Sequence, residues 1–396
     1  MKFLSKNNEI LILFFLVLIG YIQFFFGGSF FVHQDQAFIS NFSYGNFLGN
    51  GWRPDKGLGY SAFYGDSSWH PWSFYSFFEN VINDKNNKNI SEISYGLSII
   101  FISLLSVFST YIFFKRINLN LNKYFILLIP LIIFSSGLHG SHYLRIASYS
   151  IGIPLSLLVF NKLFTYSFNI YKYCRLIIFF SIILFVTFLL GRIDCVGVIL
   201  STTFIYTISN IIYQKLKILK ISKLIIPFYI FSFLIFIFLS SFIFYSSIIE
   251  IFNGEYVRSK IFDYSISIND LFPQLFSFNS HSLLNYIIGL IQVEWFPRSV
   301  GVGKSPIIPL SIRYAYNITP IFPLIFLFFI YHKSKNQWEF FFKFYICIFL
   351  IHNFLLIFPI YNNIYYFLQS KSKLLFFFNL QSYLVQLGML IIFFNN

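Results

Sequence analysis

A short polar stretch, His33-Gln34-Asp35-Gln36, directly follows the first apolar run of the chain. A carboxylate at that place sits at a membrane surface, where Asp35 can act as a general base toward an acceptor hydroxyl or as a ligand to a divalent metal ion. Asp is also a common helix N-cap, so Asp35 can equally do no more than start the next helix. Gly191-Arg192-Ile193-Asp194 is a tight turn between two apolar runs, a place where charge is expensive to hold. There Arg192 and Asp194 either pair with each other or Arg192 meets a phosphate, which the planar guanidinium fork suits. His139, His142 and Arg145 fill another short turn, with the two histidines one helical turn apart if helical. That set suits a metal or headgroup site, or simply anchors the chain at the interface. Arg258 lies in a mixed run with Glu255, Lys260 and Asp263, a solvated face from which it can reach a lipid phosphate. Glu294 sits inside an apolar stretch, where Arg298 four residues on can pair with it.

These residues must be positioned by elements that cross a membrane. Of 396 residues, 57% are hydrophobic, 23% aromatic and only 11% charged, against roughly 25% charged in an ordinary soluble domain. Such a chain cannot cover itself with a hydrated surface. A span needs about 20 predominantly apolar residues. Runs that qualify fall near 10–31, 94–114, 124–138, 148–165, 176–191, 195–214, 224–247, 318–331, 340–358 and 374–394. The expected fold is therefore all-α, a polytopic integral membrane protein forming one transmembrane domain over 1–396, with about ten spans. The run 282–296 carries Glu294 and stops at Pro297, which reads as a re-entrant or interfacial helix.

Orientation follows from lysine and arginine, because basic short loops stay in the cytoplasm. Lys2 and Lys6, then Lys115, Arg116 and Lys123, then Lys162, Lys172 and Arg175, then Lys215, Lys217, Lys220 and Lys223, then Lys333 and Lys335 fall at every second junction. This predicts a cytoplasmic N-terminus and a retained first helix, since no small-residue cleavage site follows it. The alternate junctions collect every acidic residue except Glu9 and Glu339. The net charge of +14 thus marks the cytoplasmic side of the spans, and nucleic acid is not the expected partner. Cys174, Cys195 and Cys347 have no metal-like spacing. Gly301-Val302-Gly303-Lys304-Ser305 lacks the spacing of a phosphate-binding loop.

Two outer segments are long, 32–93 and 248–317. The first contains Asp35, Gly51-Trp52-Arg53-Pro54, Gly57, Gly59, Gly65-Asp66, and Trp69-His70-Pro71-Trp72 before the aromatic run Phe74 to Phe78, which reads as an amphipathic helix. An Asp after the first span, a Gly-Trp-x-Pro turn, a Gly-rich stretch and a His-Pro before an aromatic helix resemble the first outer loop of YfhO-like membrane proteins, of the GT-C class of glycosyltransferases. Asp270-Leu271-Phe272-Pro273 and Tyr286-Ile287-Ile288-Gly289-Leu290 are similar to that family's second long outer segment.

The resemblance implies a GT-C-like bundle in a bacterial cytoplasmic membrane. It also implies transfer of a sugar from a polyprenyl-phosphate donor to a glycan, lipid or protein acceptor at the outer face. Asp35 would then be the base or metal ligand. Arg192, Asp194, Arg258, Arg145, His70 and Glu294 would line the substrate site.

Three other classes compete. An O-antigen-type polymerase or ligase would depend on Arg258 and Arg298 rather than Asp35. A noncatalytic scaffold would leave Asp35, Arg192 and Arg258 dispersed. A secondary transporter would carry polar groups near the midplane, whereas these charges lie at span ends.

Overall fold

A computed structural model describes residues 6–22, 52–53, 60–61, 77–78, 81, 90–117, 128–130, 144–165, 169–190, 193–214, 218–252, 333–355 and 382–395. Its helices are α1 (Lys6–Gly20), α2 (Ile90–Arg116), α3 (Leu144–Thr165), α4 (Ile170–Leu190), α5 (Ile193–Gln214), α6 (Ile218–Phe252), α7 (Gln337–Leu355) and α8 (Ser382–Asn395). The one departure from helix among the described residues that forms paired structure is a short antiparallel bridge. In it β1 (Trp52–Arg53) faces β2 (Tyr60–Ser61) with Trp52 opposite Ser61. Residues 54–59, between the two strands, lie outside the described residues.

Among the described residues, four helices are long and apolar enough to cross a membrane: Gly96–Arg116 of α2, Ile170–Leu190 of α4, Cys195–Gln214 of α5 and Leu224–Ser241 of α6. Glu9–Gly20 of α1 and Ser150–Thr165 of α3 are shorter apolar helices. The expected spans at 94–114, 176–191, 195–214 and 224–247 correspond closely to the first four. Of the expected span 124–138, residues 128–130 are described, and the expected span 318–331 and interfacial run 282–296 lie outside the described residues.

Side-chain contacts fix the sense of each helix relative to its neighbours. Glu9 meets Lys115 while Tyr21 meets Ser103, so α1 and α2 run antiparallel. Ser106 of α2 lies beside Ser150 of α3, and Phe113 and Asn161, further along each helix, both lie at the level of Trp338 and Tyr206, so these two run parallel. Phe160 packs on Phe180 while Gly152 abuts Thr187, reversing the direction for α4. Tyr173 reaches Leu224 and Ser181 reaches Ser232, which makes α6 parallel to α4. Gly152 abuts Ile199 and Tyr206 reaches Asn161, which aligns α5 with α3. Tyr206 contacts Phe341 and Gln214 contacts Gln337, so α7 opposes α5. The starts of α1, α4, α6 and α7 therefore share one end of the bundle with the finishes of α2, α3 and α5. That end holds Lys6, Lys115, Arg116, Lys162, Lys172, Arg175 and Lys335, and is here termed the basic end.

Helix contacts in a lipid environment gain little from hydrophobicity, because the tails are as apolar as the side chains, so small and hydroxyl residues hold them together. Ser106 Oγ and Ser150 Oγ lie 2.5 Å apart, and Ser109 donates to the Ser150 carbonyl at 3.3 Å. Ser181 donates to the Ser232 carbonyl at 3.0 Å, and the Tyr229 hydroxyl to Thr203 at 2.9 Å. Aromatic edges fill the spaces between, with Phe160 against Phe180 and Phe228. Helix α5 is central and mostly buried, whereas α6 is mostly uncovered and turns Ile226, Ile230, Phe231, Leu234 and Phe238 outward. From the first long segment, Phe78 packs edge-on against Phe101 of α2.

Candidate functional site

Arg145 is the second residue of α3 and Asp194 the second of α5. The helix senses place both backbone positions at the end opposite the basic end. Asp194 there occupies the first turn of a helix, where the N-terminal end of the macrodipole favours a carboxylate. Leu190 and Ile193, the described neighbours of Arg192 in the chain, lie at that same end. Asp35, His70, Arg192, Arg258 and Glu294 themselves lie outside the described residues.

The basic end has a polar structure of its own, built in three parts. At the start of α1, the Tyr111 hydroxyl and Lys115 Nζ both approach one oxygen of Glu9, each at 2.8 Å. Glu9 is buried, and the Lys115 ammonium also stands 5.6 Å from the centre of the Tyr111 ring.

At the start of α7, Asn336 caps the helix by accepting the Glu339 backbone N–H at 2.8 Å. Glu339 reaches back to accept the Lys335 backbone N–H at 3.0 Å. The arrangement is a variant of the capping box, with the Glu side chain bonded one residue before the cap, at Lys335 in place of Asn336. Its other carboxylate oxygen lies 2.7 Å from Lys343 Nζ.

Between them a chain of hydrogen bonds crosses three helices. Gln214 donates to Gln337 at 3.2 Å, Gln337 to the Tyr206 hydroxyl at 2.8 Å, and Tyr206 to Asn161 at 3.2 Å. The Tyr206 ring is flanked by Trp338 and Phe341, with centroids 5.1 Å away in each case.

Chemically, both carboxylates at the basic end are committed. Each is a counter-ion to a lysine and an acceptor for a second group, so neither stands ready as a base. Among the described residues no group of three or more His, Cys, Asp or Glu is gathered to hold a metal ion, and Asp35, the expected ligand, is not among them. Glu9 and Glu339 stood out in the sequence as the two exceptions to the charge segregation. Lys343 was not singled out, although it stands four residues after Glu339 within an apolar run. Asn161, Tyr206 and Asn210 were not singled out, because polar residues in helices without charge carry little pattern.

Compared with known proteins, the chain matches no family model, no curated protein and no solved structure.

Proposed function

We propose that the protein is a membrane glycosyltransferase of GT-C-like architecture with about ten spans. It moves a sugar from a polyprenyl-phosphate donor to a cell-envelope acceptor on the outer face of a bacterial cytoplasmic membrane. The observation that carries this reading is the division of labour between the two ends of the bundle. At the basic end, the two carboxylates are locked to Lys115 and Lys343. All other acidic residues belong to the alternate junctions and long segments, where the sequence also concentrates the arginines suited to phosphate.

In this account Asp35 takes the proton from the acceptor hydroxyl, or holds a divalent metal ion. Arg192 and Arg258 offset the charge that develops on the leaving phosphate, the step at which fixed cations matter most. Arg145, Asp194, His70 and Glu294 shape the surrounding site. The lipid-borne donor enters from the bilayer, so its reacting phosphate lies at the depth of the span ends.

The test is reconstitution of the full chain in proteoliposomes with a polyprenyl-phosphate sugar and a hydroxyl-bearing acceptor lipid. Release of free polyprenyl phosphate that Asp35→Asn abolishes supports the assignment. Equal release by wild type and variant removes Asp35 from the chemistry. Release abolished by Arg258→Ala and Arg298→Ala but not by Asp35→Asn moves the protein to the polymerase or ligase class.

A further inference from the structure

We propose that the first two turns of α3 form a hinged arm, which bends at Gly152–Pro154 and is latched against α2 by Ser106 and Ser109. Pro154 lies inside α3. A proline has no N–H to give the carbonyl four residues back, and its ring crowds that carbonyl, so a helix bends there. The carbonyl concerned is that of Ser150. It is the one to which Ser109 Oγ donates from α2, at 3.3 Å. A hydroxyl supplied by a neighbouring helix is one of the means by which a proline is tolerated inside a membrane.

The Ser109 proton has two acceptors within reach, because the Ser106 carbonyl of its own helix lies 3.0 Å away. That carbonyl also accepts the Thr110 hydroxyl at 2.8 Å, whereas Pro154 gives the Ser150 carbonyl no N–H. Donation to Ser150 is therefore the more valuable of the two bonds, and turning the proton back to Ser106 releases α3 without stranding Ser109. A second contact of the latch brings the Ser106 and Ser150 hydroxyls to 2.5 Å. All three serines are buried.

On the basic side of Pro154, α3 is held more broadly. Phe160 packs against Phe180, Phe228 and Tyr229, and Asn161 accepts from Tyr206. At the bend, Gly152 lays bare backbone against Ile199 and Thr187, where an added methyl would overlap both. With no side chain of its own to interlock, that contact is a pivot. The arm thus has a fixed root, a pivot, and a latch of hydroxyl bonds that each contribute little inside a membrane and so open reversibly. Arg145, by backbone position the second residue of α3, rides on the arm. Nine residues of helix make a lever of about 13 Å, so a change of about 20° in the bend displaces Arg145 by about 5 Å. The bend therefore shifts it relative to Asp194 at the start of α5.

Double electron–electron resonance on the full chain in nanodiscs tests this, with Cys174, Cys195 and Cys347 replaced by Ala and spin labels at Ala147→Cys on the arm and Phe238→Cys on the outward face of α6. The expected result is one principal distance with Ser109 in place, and a second population displaced by several ångströms in Ser109→Ala. In a Pro154→Ala background the same serine substitution is expected to change nothing, because residue 154 then supplies its own N–H to the Ser150 carbonyl. Thermal midpoints are expected to follow the same pattern, lowered by Ser109→Ala only where Pro154 is present. A Ser109→Ala distribution identical with that of the serine-bearing chain overturns the proposal, and this arm needs no proline variant to fold. Equal broadening by Ser109→Ala with and without Pro154 also overturns it, since the serine is then an ordinary helix contact and does not act on the carbonyl that the proline exposes.

Discussion

The Glu339 carboxylate holds the Lys343 ammonium at 2.7 Å, one helical turn along α7, with the lysine side chain 9% exposed and the glutamate not at all. A buried pair of this kind is weak evidence for net stability, but removing one member leaves a charge stranded. Glu339→Ala is therefore expected to destabilise by about 3 kcal/mol or more, with the loss of its bond to the Lys335 backbone N–H adding about 1. Glu339→Gln with Lys343→Met, which removes both charges and keeps an acceptor for the Lys335 N–H, is expected to recover much of that loss. Thermal unfolding in detergent compares the two variants with wild type. A double variant no better than Glu339→Ala would show that neither the stranded lysine charge nor the bond to the Lys335 N–H accounts for the loss.

Glu9 performs the matching task for α1. Its partner Lys115 is 42% exposed, so solvent screens the pair and it is worth about 1 kcal/mol or less. Glu9→Gln keeps an acceptor for Tyr111 and loses only the charge, so a small fall in unfolding midpoint is expected. Glu9→Leu loses both and is expected to fall further, leaving α1 held mainly by its apolar face and the Tyr21 to Ser103 hydrogen bond at 2.6 Å. Equal midpoints for the two variants would mean that the Tyr111 bond adds nothing.

Gly388 on α8 faces Phe342 of α7 so closely that an added methyl would lie 2.8 Å from the ring. Gly388→Ala is expected to cost about 1–3 kcal/mol by overpacking. Trimming the opposing ring with Phe342→Leu is expected to be less harmful in the Gly388→Ala background than alone. The sign of that coupling in a double-mutant cycle decides whether the two helices meet as described.

Orientation is testable without adding a reporter. Cys174 is exposed near the start of α4, at the basic end, whereas Cys195 is buried. In a chain carrying Cys195→Ala and Cys347→Ala, a membrane-impermeant maleimide is expected to label Cys174 in inside-out vesicles and to leave it unmodified in intact cells. Labelling of intact cells would invert the topology and with it the side on which Asp35 lies.

Helix existence was legible because an apolar run of span length has few alternatives in a membrane, where every backbone group must be bonded internally. Lysine spacing also carried the relative sense of the helices. The contacts of Ser181 with Ser232 and of Tyr206 with Asn161 agree with the alternation that Lys172, Lys162 and Lys335 implied. Helix ends were less legible. The expected start at 176 lies six residues after Ile170, where Asn169 caps α4 by accepting the Tyr171 and Lys172 backbone N–H groups. Polar residues in the first turn hid that start, since a hydropathy window penalises what a helix cap requires. The Asn161, Tyr206 and Gln337 cluster was illegible because its members are far apart in sequence and uncharged, and only helix packing gathers them. Of the candidate site, Arg145 and Asp194 could be placed by backbone position alone. The grouping of Asp35 with Arg192 and Arg258 rests on charge distribution and on the resemblance of the outer segments.

The most direct test of the transferase reading is mass spectrometry of membrane lipids and surface glycans from cells expressing the wild-type chain, Asp35→Asn, or neither, with membrane insertion matched between the two proteins. The account predicts a glycan or lipid modification that appears with wild type and disappears with Asp35→Asn. A modification that persists undiminished in Asp35→Asn would contradict it, leaving Asp35 as a helix cap and the catalytic assignment without its base.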